Sequence, residues 1–305
     1  MKVFITGGTG FIGSSLTEKL VKKGFHVTVL TRRDSTARLF PEGVRLAQGD
    51  PSQPGSWQEK LSECSAVVNL AGASIFQRWN EKSKRIIRES RIATTRNIVT
   101  AIAQKKEQRI DLINASAVGF YGNSGEEPCE ENHPPGSDFL AAITREWETE
   151  ALKAREYGSR VVLCRFGIVL GSPGGALGKM LPFFRWGMGA RLGSGRQWFS
   201  WIHRKDLSRI IQFVLQKQNI QGAVNCTAPH PVQNKDFTKA LAKAVKKPLV
   251  VPPLPGFLLK IAWGELSEAL LKGQRVMPRV LMEQGFPFMF PDVESALHDL
   301  AIEYS

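Results

Sequence analysis

Residues 6–13 of the chain, with the sequence TGGTGFIG, decide the fold. They follow a short apolar run, Val3 to Thr6, and they open a segment, Phe11 to Lys23, whose apolar residues recur with helical periodicity. Glycines let a backbone turn tightly and approach a pyrophosphate, and a helix N-terminus offers free N–H groups with a positive dipole end. The order of strand, glycine turn and helix therefore predicts a dinucleotide-binding unit.

The glycine turn has two other interpretations. Gly8 and Gly13 have the separation found in the phosphate loops of nucleotide triphosphatases, but Ser14 stands where such a loop needs its lysine. A glycine turn without a ligand is the second alternative, and the strand–helix pattern around the turn disfavours it. The candidate cofactor residues in the turn are Gly7, Gly10, Phe11, Ile12 and Gly13.

The first half of the chain alternates strand and helix patterns. Helices are predicted at 81–105, with Asn80 as N-cap, and from Phe139 to a stop at Gly158. Strands that alternate with helices form parallel sheets covered on both faces, so the fold class is α/β, a Rossmann-type doubly wound parallel sheet. The runs predicted as further buried strands are 26–30, 66–70, 111–115 and 161–166.

The pattern changes after Gly171, where the sequence becomes rich in glycine and aromatic residues. We expect a Rossmann core at 1–172, completed by about 206–230. Residues 173–205 and 231–305 are expected to form a smaller C-terminal substrate lobe. Such a lobe would cover the carboxyl edge of the sheet, where open α/β sheets bind their ligands.

The end of the second predicted strand selects the cofactor. NAD-binding proteins place an acidic residue there to bind the ribose hydroxyls. Thr31, Arg32 and Arg33 stand at this point instead, and a guanidinium group pairs bidentately with a 2′-phosphate. We therefore predict NADP as the cofactor. Two alternatives stay open: the two arginines are solvated loop charges, or Asp34 is a weak NAD-type acid.

Further motifs resemble those of the extended short-chain dehydrogenases/reductases. They are the glycine turn, Gly49-Asp50 after the third strand, residues 69–72 (NLAG) after the fourth, 116–122 after the fifth, and the later stretch 201–206 (WIHRKD). Over essentially its whole length, including a C-terminal stretch at 264–286, the chain resembles the atypical subgroup called epimerase family proteins.

This resemblance carries expectations for individual cofactor residues. It implies that Asp50 lies near the adenine, and that Leu70, Ala71 and Gly72 line the cofactor cleft. It also implies a nucleotide-sugar-like or other anionic small molecule as the substrate class.

The catalytic motif is where the chain departs from the superfamily, whose members use a Tyr-x-x-x-Lys pair on a helix. The lysine charge lowers the tyrosine pKa, so that the hydroxyl can move a proton near neutral pH. Gly125 and Val161 stand four residues after Tyr121 and Tyr157, and Tyr304 is next to last. The chain therefore contains no such pair.

Three residues remain as catalytic candidates. The resemblance puts Leu140 and Thr144 at the positions of the missing pair, keeps an upstream serine as Ser116 and replaces a helix asparagine by Arg91. Ser116 is a candidate to hydrogen-bond a substrate carbonyl, and Arg91 to hold an anionic substrate or an oxyanion. Tyr121 is a candidate acid/base. The alternatives are a packing role for Tyr121 and a solvated helix charge for Arg91.

Composition limits the classes of partner. The formal net charge of +13 fits nucleic acid, an acidic membrane surface or an anionic small molecule, or it reflects dispersed solvated charges. Dispersion favours the last interpretation, so we expect a small-molecule substrate, no nucleic acid and no membrane, with a homodimer left open. Cys64, Cys129, Cys164 and Cys226 are widely spaced, which predicts neither a metal site nor a disulfide framework. Neither a signal peptide nor a membrane span is predicted, so we expect a cytoplasmic protein.

Three functions are compatible with these observations. The first is an NADP-dependent oxidoreductase or epimerase on a small substrate, with hydride exchange at the nicotinamide assisted by Ser116 and Arg91. The second is a non-catalytic NADPH-sensing protein, in which the lost Tyr/Lys pair reflects lost chemistry. A nucleic-acid binder that uses the basic surface is the third and requires salt-dependent retention on DNA or RNA.

Overall fold

The computed structural model describes residues 1–33, 40–105, 109–172 and 174–303. Asp34 and Tyr304, both considered above, lie outside these ranges. The strands are, in chain order, β1 Lys2–Thr6, β2 His26–Thr31, β3 Arg45–Gln48, β4 Ala66–Asn69, β5 Asp111–Ala117, β6 Pro128–Cys129, β7 Val161–Phe166, β8 Ile168–Leu170, β9 Trp198–Phe199, β10 Trp201–His203, β11 Gly222–Cys226, β12 Val232–Gln233 and β13 Arg275–Val276.

The helices lie between the strands and dominate the end of the chain. They are α1 Phe11–Lys22, α2 Trp57–Leu61, α3 Glu81–Ala103, α4 Phe139–Leu152, α5 Gly175–Arg185, α6 Arg204–Gln216, α7 Asn234–Ala244, α8 Gly256–Trp263, α9 Leu266–Leu271, α10 Arg279–Glu283 and α11 Val293–Glu303.

A seven-stranded sheet runs in the order β11-β7-β5-β4-β1-β2-β3, and all of its neighbouring strands pair in parallel. The chain builds outward from β1 through β2 to β3, then returns to β4 on the other side of β1 and builds outward again. The direction therefore reverses between β1 and β4, and ligands of open α/β sheets bind at such a switch point. This sheet confirms the predicted α/β doubly wound class.

The sheet is covered on both faces, as its uninterrupted apolar strands require. In β1, Val3 and Ile5 pack into one core together with side chains of α1 and α6. Phe4, between them, points to the opposite face and packs with α2 and α3. All three side chains are fully buried, so successive residues of this strand stabilise different layers.

The later segments pack around the carboxyl edge of the sheet. Short ladders join β8 with β10, β9 with β12 and β6 with β13. α5, α7 and α11 share a third apolar core. The C-terminal stretch also returns to the sheet itself, because Leu281 and Phe286 pack in the same core as β1.

Element boundaries follow the local signals. Asn80 caps α3 by accepting from Ser83 N, and the Ser83 hydroxyl completes a capping box. α3 ends at Ala103, two residues before the predicted end. The helix predicted to stop at Gly158 consists of α4 followed by a 3₁₀ turn over Lys153–Tyr157, and Gly158 closes it with a φ of +78°.

Neither a membrane span nor a metal cluster occurs in the part of the chain that the structure describes. None of the described helices is both long and apolar enough to cross a bilayer. No group of three or more described His, Cys, Asp or Glu side chains is arranged to hold a metal ion. The four cysteines are buried and free.

Candidate cofactor cleft

The glycine loop lies against the turn that follows β4. A carbon added at Gly7, whose φ is +69°, would sit 2.7 Å from the Leu70 carbonyl carbon and 2.8 Å from the Ala71 nitrogen. At Gly13 the added carbon would sit 2.2 Å from the Gly7 carbonyl oxygen. Neither position has room for a side chain. These contacts bring together residues from two separate motifs at the switch between β1 and β4.

α1 begins from this loop with an N-terminus that no side chain caps. Gly10 is the N-cap residue, and the first turn contains no acidic residue. The first intrahelical bond joins Ser14 N to Gly10 O, so the amides of Phe11, Ile12 and Gly13 precede the helical ladder. Free amides at the positive end of a helix dipole are what a phosphate needs.

Phe11, the first residue of α1, packs against a second glycine-rich turn, which belongs to the segment that begins at Gly171. Carbons added at Gly171 and Gly175 would sit 2.9 and 2.8 Å from the Phe11 ring. The Arg204 guanidinium lies 5.2 Å from the centre of this ring. The later glycine-rich segment therefore packs directly against the start of α1.

The end of β2 is joined to the Asp50 loop. Gly49 N donates to the Thr31 carbonyl at 2.9 Å, and the Thr31 hydroxyl accepts from Arg33 N at 3.2 Å. Two donors of Ser52 bind the Asp50 carboxylate at 2.7 and 2.9 Å, and they lower the pKa of Asp50, as does the charge of Arg32. Arg32 and Arg33 are exposed. The residues predicted to contact the adenine and the 2′-phosphate of the cofactor therefore lie close together in the structure.

Arg91 reaches from α3 toward the turn after β4. Its Nη1 donates to the carbonyls of Ala73 at 3.1 Å and Ile87 at 2.9 Å, and its guanidinium lies 5.2 Å from the Trp147 ring centre. A carbon added at Gly72 would sit 3.3 Å from the guanidinium carbon. Burial lowers the pKa of Arg91 to about 10, and no neighbouring carboxylate among the described residues offsets that cost.

A buried polar network fixes the ends of β1, β4 and β5 beneath the cleft. Thr6 Oγ1 donates to Asn69 Oδ1 at 2.6 Å, and Asn69 Nδ2 donates to Asn114 Oδ1 at 2.7 Å and to Thr95 Oγ1 at 3.0 Å. Trp147 Nε1 donates to the same Thr95 oxygen at 2.9 Å. Satisfied buried networks of this kind rigidify a site, so the edge that carries Leu70 to Gly72 is held in place.

Ser116 lies in a second network, on the side of β5 and β7. Its hydroxyl donates to Glu148 Oε1 at 2.6 Å. Arg165 donates to both oxygens of Glu148 at 2.8 Å in a bidentate pair. All three residues are 5% exposed or less. Ser116 can accept a further hydrogen bond, but it can donate one to a substrate only after leaving Glu148.

Tyr121 belongs to this same network. Its hydroxyl accepts from Arg165 Nη1 at 2.9 Å and donates to Asn225 Oδ1 at 2.7 Å, and the side chain is 2% exposed. Burial raises the pKa of Tyr121 to about 12. These contacts favour the packing alternative for Tyr121 over an acid/base role.

The positions of the missing Tyr-x-x-x-Lys pair lie on the same side. Thr144 is buried, and its hydroxyl donates to the Leu140 carbonyl at 2.6 Å. Leu140 lines a surface cleft of about 380 Å³, counting space open to solvent, together with Trp79, Glu268 and Lys272. A neighbouring cleft of about 420 Å³ lies between Glu126, Arg196 and Trp198 and also reaches Lys272. Both clefts include side chains from the C-terminal stretch.

His203, the histidine of the WIHRKD stretch, is buried among residues of α6 and the C-terminal segment. Its Nδ1 accepts from Lys205 N at the start of α6, and its Nε2 lies 3.3 Å from Asp299. The ring packs on Phe290 with 4.1 Å between centres, and the side chain is 1% exposed. These contacts favour a capping and packing role.

Two residues of the second network, Arg165 and Asn225, were not among the candidates predicted from the sequence. Arg165 interrupts an otherwise apolar strand, and a charged residue in such a run is a usable signal, because it must find a buried partner. Asn225 carries a weaker signal of the same kind in β11. Which partner each one meets depends on the fold and could not be predicted.

Family comparisons agree with this architecture. The model of the NAD dependent epimerase/dehydratase family matches residues 3–226. A domain of unknown function, DUF1731, matches residues 254–300, which contain the C-terminal stretch.

Two relatives match nearly the whole of this chain. The Epimerase family protein SDR39U1 homolog, chloroplastic, of Arabidopsis thaliana is 40% identical over 304 residues, which cover 97% of this chain and 86% of the relative. The Epimerase family protein YfhF of Bacillus subtilis is 39% identical over 303 residues, or 98% of each chain. These relatives confirm the resemblance noted from the sequence.

Solved structures of similar proteins include one with a bound cofactor. Human epimerase family protein SDR39U1 (isoform 2), crystallised with NADPH, is 31% identical, covers 99% of both chains and superposes with a TM-score of 0.86. The UDP-glucose 4-epimerase of Thermus thermophilus, in complex with NAD, superposes with a TM-score of 0.79 at 23% identity. At that identity the second likeness concerns the fold alone.

Proposed function

The chain belongs to the NAD-dependent epimerase/dehydratase family, and from that premise we propose that it binds NADP(H) and acts as an oxidoreductase or epimerase on a small anionic substrate. The observation that carries the proposal is the uncapped N-terminus of α1, which opens beside a glycine-built contact with Leu70 and Ala71. Arg91, a partly buried cation with no acidic neighbour in the described part of the chain, lies next to the same turn.

The choice of NADP(H) over NAD(H) has two supports. The human relative was crystallised with NADPH. In this chain Arg32 and Arg33 follow β2 where an NAD-binding protein carries an acid, and both are exposed to an incoming ligand. Guanidinium groups recognise a 2′-phosphate through charge-assisted hydrogen bonds.

The residues of the cleft fit such a cofactor. The amides of Phe11, Ile12 and Gly13 would hold the pyrophosphate, and Gly7 and Gly10 let the backbone approach it. Thr31, Arg32, Arg33 and Asp50 would hold the adenosine end. Leu70, Ala71 and Gly72 would line the cleft further along the edge of the sheet.

The chemistry in this proposal divides between cofactor and chain. A bound nicotinamide supplies hydride exchange at its C4 atom. Arg91 holds the anionic part of the substrate or a developing oxyanion. Ser116 binds a substrate oxygen, and Tyr121 remains the candidate proton donor only if its buried network opens.

The substrate-binding part in this proposal is the lobe of residues 173–205 and 231–305, placed over the core of 1–172. The two clefts at Leu140 and Trp198 lie within reach of Lys272 and provide space for a small molecule. A cytoplasmic location, expected from the sequence, stays part of the proposal, and a homodimer stays open.

A second candidate function is an NADPH sensor without turnover. It is favoured by the closed network around Ser116 and Tyr121, whose donors and acceptors satisfy one another. The absence of a Tyr-x-x-x-Lys pair points the same way. In this case the cleft binds the cofactor, and its occupancy is the output.

The experiment that separates the two functions combines cofactor and metabolites. The purified protein is incubated with NADP or NADPH and a metabolite extract, while nicotinamide absorbance and metabolite masses are followed. An enzyme changes one metabolite with a matching change or cycling of the cofactor, and Arg91→Met lowers that rate by about a hundredfold. Arg85→Met, an exposed arginine on the same helix, is the matched control and leaves the rate unchanged.

The sensor gives a different result in the same experiment. NADPH binds tightly and raises the unfolding temperature. No metabolite changes with the wild-type protein, with Arg91→Met or with Ser116→Ala. Failure of both NADP and NADPH to bind would overturn both functions.

A further inference from the structure

Between Tyr157 and Gly264 the sequence contains two acidic residues, Asp206 and Asp236, so three acid-free runs lie there. Two stretches within these runs are rich in lysine and arginine. They are residues 171–205 and residues 237–264. The cations in these segments are Lys179, Arg185, Arg191, Arg196, Arg204 and Lys205 in the first, and Lys239, Lys243, Lys246, Lys247 and Lys260 in the second. These two segments hold eleven of the 41 lysines and arginines and none of the 28 acids, so they carry most of the formal net charge of +13.

Most of the exposed large apolar side chains lie in the same two segments. Of the twelve such residues in the described chain, these segments hold Phe183, Trp186, Met188, Leu249, Val250, Phe257, Leu258 and Ile261. Trp186 is 73% exposed and Ile261 69%. Exposed apolar side chains scattered singly are ordinary in proteins, but a concentration of them marks a surface that something covers.

The fold places the two segments side by side. A backbone bridge joins Leu192 to Leu254, with Leu254 N donating to Arg191 O and Gly193 N donating to Leu254 O, both at 2.9 Å. Lys179 of α5 lies 5.9 Å from the ring centre of Trp263 in α8. Residues 179–193 and 246–263 thus form one surface, which we call the acid-free face.

α8 shows how little of this face is buried. The helix buries Leu259, while Phe257, Leu258, Lys260 and Ile261 are exposed. The acidic residues that follow it are already engaged, because Glu265 pairs with Lys84 and Glu268 lies 3.5 Å from Lys272. The positive charge of the acid-free face is therefore not neutralised from this side.

Charge decides which kind of partner fits the acid-free face. A second copy of the chain, placed face to face, would set lysines and arginines against one another without a single acid between them. Nucleic acid would match the charge, but the centre of the face is aliphatic and aromatic, and phosphate backbones gain nothing from Val250, Leu258 or Ile261. An anionic lipid surface matches both the cations and the apolar side chains.

We propose that the acid-free face docks the protein on the surface of anionic bilayers. Trp186, Phe257 and Ile261 enter the boundary between headgroups and acyl chains, and the lysines around them contact lipid phosphates. The protein lies on the membrane and does not span it, in keeping with the lack of a spanning helix in the described chain. The sequence predicts no membrane partner because its charges look dispersed and it contains no segment long and apolar enough to span a bilayer. Neither criterion tests peripheral binding.

The test uses the full-length protein and vesicles of defined composition. Co-sedimentation is measured with vesicles of phosphatidylcholine alone and with vesicles in which part of it is replaced by phosphatidylglycerol. Wild-type protein is expected to sediment with the second kind at low salt and to be released as salt is raised, because screening weakens the attraction of the lysines. Brominated acyl chains are expected to quench tryptophan fluorescence, and Trp186→Phe removes most of that quenching.

Two sets of variants separate the apolar and the charged contributions. Phe257→Ser with Ile261→Ser lowers the partition coefficient by roughly tenfold or more. Lys246→Gln with Lys247→Gln lowers it by about fivefold for each lysine. The control, Ile86→Ser with Met282→Ser, removes two exposed apolar side chains outside the face, 44% and 52% exposed, and leaves vesicle binding unchanged. An unchanged unfolding temperature verifies the fold of each variant.

Three outcomes would overturn the proposal. The first is no vesicle binding by the wild type, or equal binding to neutral and anionic vesicles. The second is an oligomer in solution that Phe257→Ser with Ile261→Ser dissociates, while vesicle binding is absent, which would make the face an interface between copies of this chain. The third is retention on DNA or RNA at physiological salt that survives the loss of the apolar side chains.

Discussion

The two polar regions at the carboxyl edge of the sheet differ in what is left for a ligand. On the side of β1, β2 and β4, the amides of α1 precede the helical ladder, and Arg91 has no acidic neighbour among the described residues. On the side of β5 and β7, Ser116, Glu148, Arg165, Tyr121 and Asn225 bind one another. The first region offers hydrogen-bond donors to a ligand, whereas the donors of the second region are already bonded to other side chains of the protein.

This difference separates cofactor binding from catalysis. Unmatched amides and a partly desolvated cation are costly in the free protein, and a bound anion recovers that cost. A closed network stabilises the fold and gains little from a ligand. We therefore expect changes on the β1 side to alter ligand binding and changes on the β7 side to alter stability.

The largest effect is expected from Gly13→Ala. Its methyl group would collide with the Gly7 carbonyl oxygen, so the glycine turn must move away from the phosphate position. NADPH affinity should fall by more than about a hundredfold, since several hydrogen bonds to charged phosphate are lost together. Isothermal titration calorimetry measures this loss. Gly24→Ala, which meets no atom within 4 Å but has a φ of +78°, should lower stability modestly and leave NADPH affinity intact.

A pair of arginine variants compares the two regions directly. Arg165→Met leaves Glu148 buried without its bidentate partner, and it should lower the free energy of unfolding by about 3–5 kcal/mol. Arg91→Met removes a cation whose hydrogen-bond partners among the described residues are two backbone carbonyls, and it should cost less than about 1 kcal/mol. Urea denaturation with far-UV circular dichroism measures both. If both variants lower the free energy of unfolding equally, the proposed difference between the two regions is wrong.

Arg32→Ala tests how the region beside β1, β2 and β4 recognises the 2′-phosphate. Loss of a charge-assisted contact to the 2′-phosphate should weaken NADPH binding by about 1.5–3 kcal/mol and leave NADH binding unchanged. Arg45→Ala, an exposed arginine at the start of β3, is the control. If NADH binding falls in parallel with NADPH binding, Arg32 acts on the shared part of the cofactor or on the fold.

The smallest effect is expected from Tyr121→Phe. Removing the hydroxyl leaves Asn225 Oδ1 without its donor and should cost about 1–2 kcal/mol of stability at neutral pH. The raised pKa of Tyr121, about 12, favours the protonated folded form. This contribution is complete below the ordinary tyrosine pKa and is lost as pH rises through about 12.

The difference in stability between wild type and Tyr121→Phe should therefore shrink between about pH 10 and pH 12. Thermal unfolding of both proteins over this range tests the sign. A large loss of turnover in Tyr121→Phe, without a change in stability, would instead return Tyr121 to the catalytic candidates.

Local sequence signals anticipated much of the fold. The glycine turn, the capping residue Asn80 and the stop at Gly158 each have a physical cause within a few residues, so their elements could be predicted. The 3₁₀ turn after α4 could not, because the change from α to 3₁₀ geometry leaves no clear mark in the pattern.

The candidate site was predictable only in part, for the same reason. Gly7, Phe11 and Leu70 belong to local motifs, and the structure brings them together. The partners of Ser116 and Tyr121 come from α4, β7 and β11, far away in sequence, so their closed network required the fold. The acid-free face was likewise invisible until the Leu192–Leu254 bridge joined its two segments.

Equilibrium titration of the wild-type protein with NADPH and with NADH tests the central claim most directly. We expect saturable binding of NADPH that is at least about tenfold tighter than that of NADH, because Arg32 and Arg33 can contact the extra phosphate. Equal affinity for the two cofactors, tighter binding of NADH, or no saturable binding of either would contradict it.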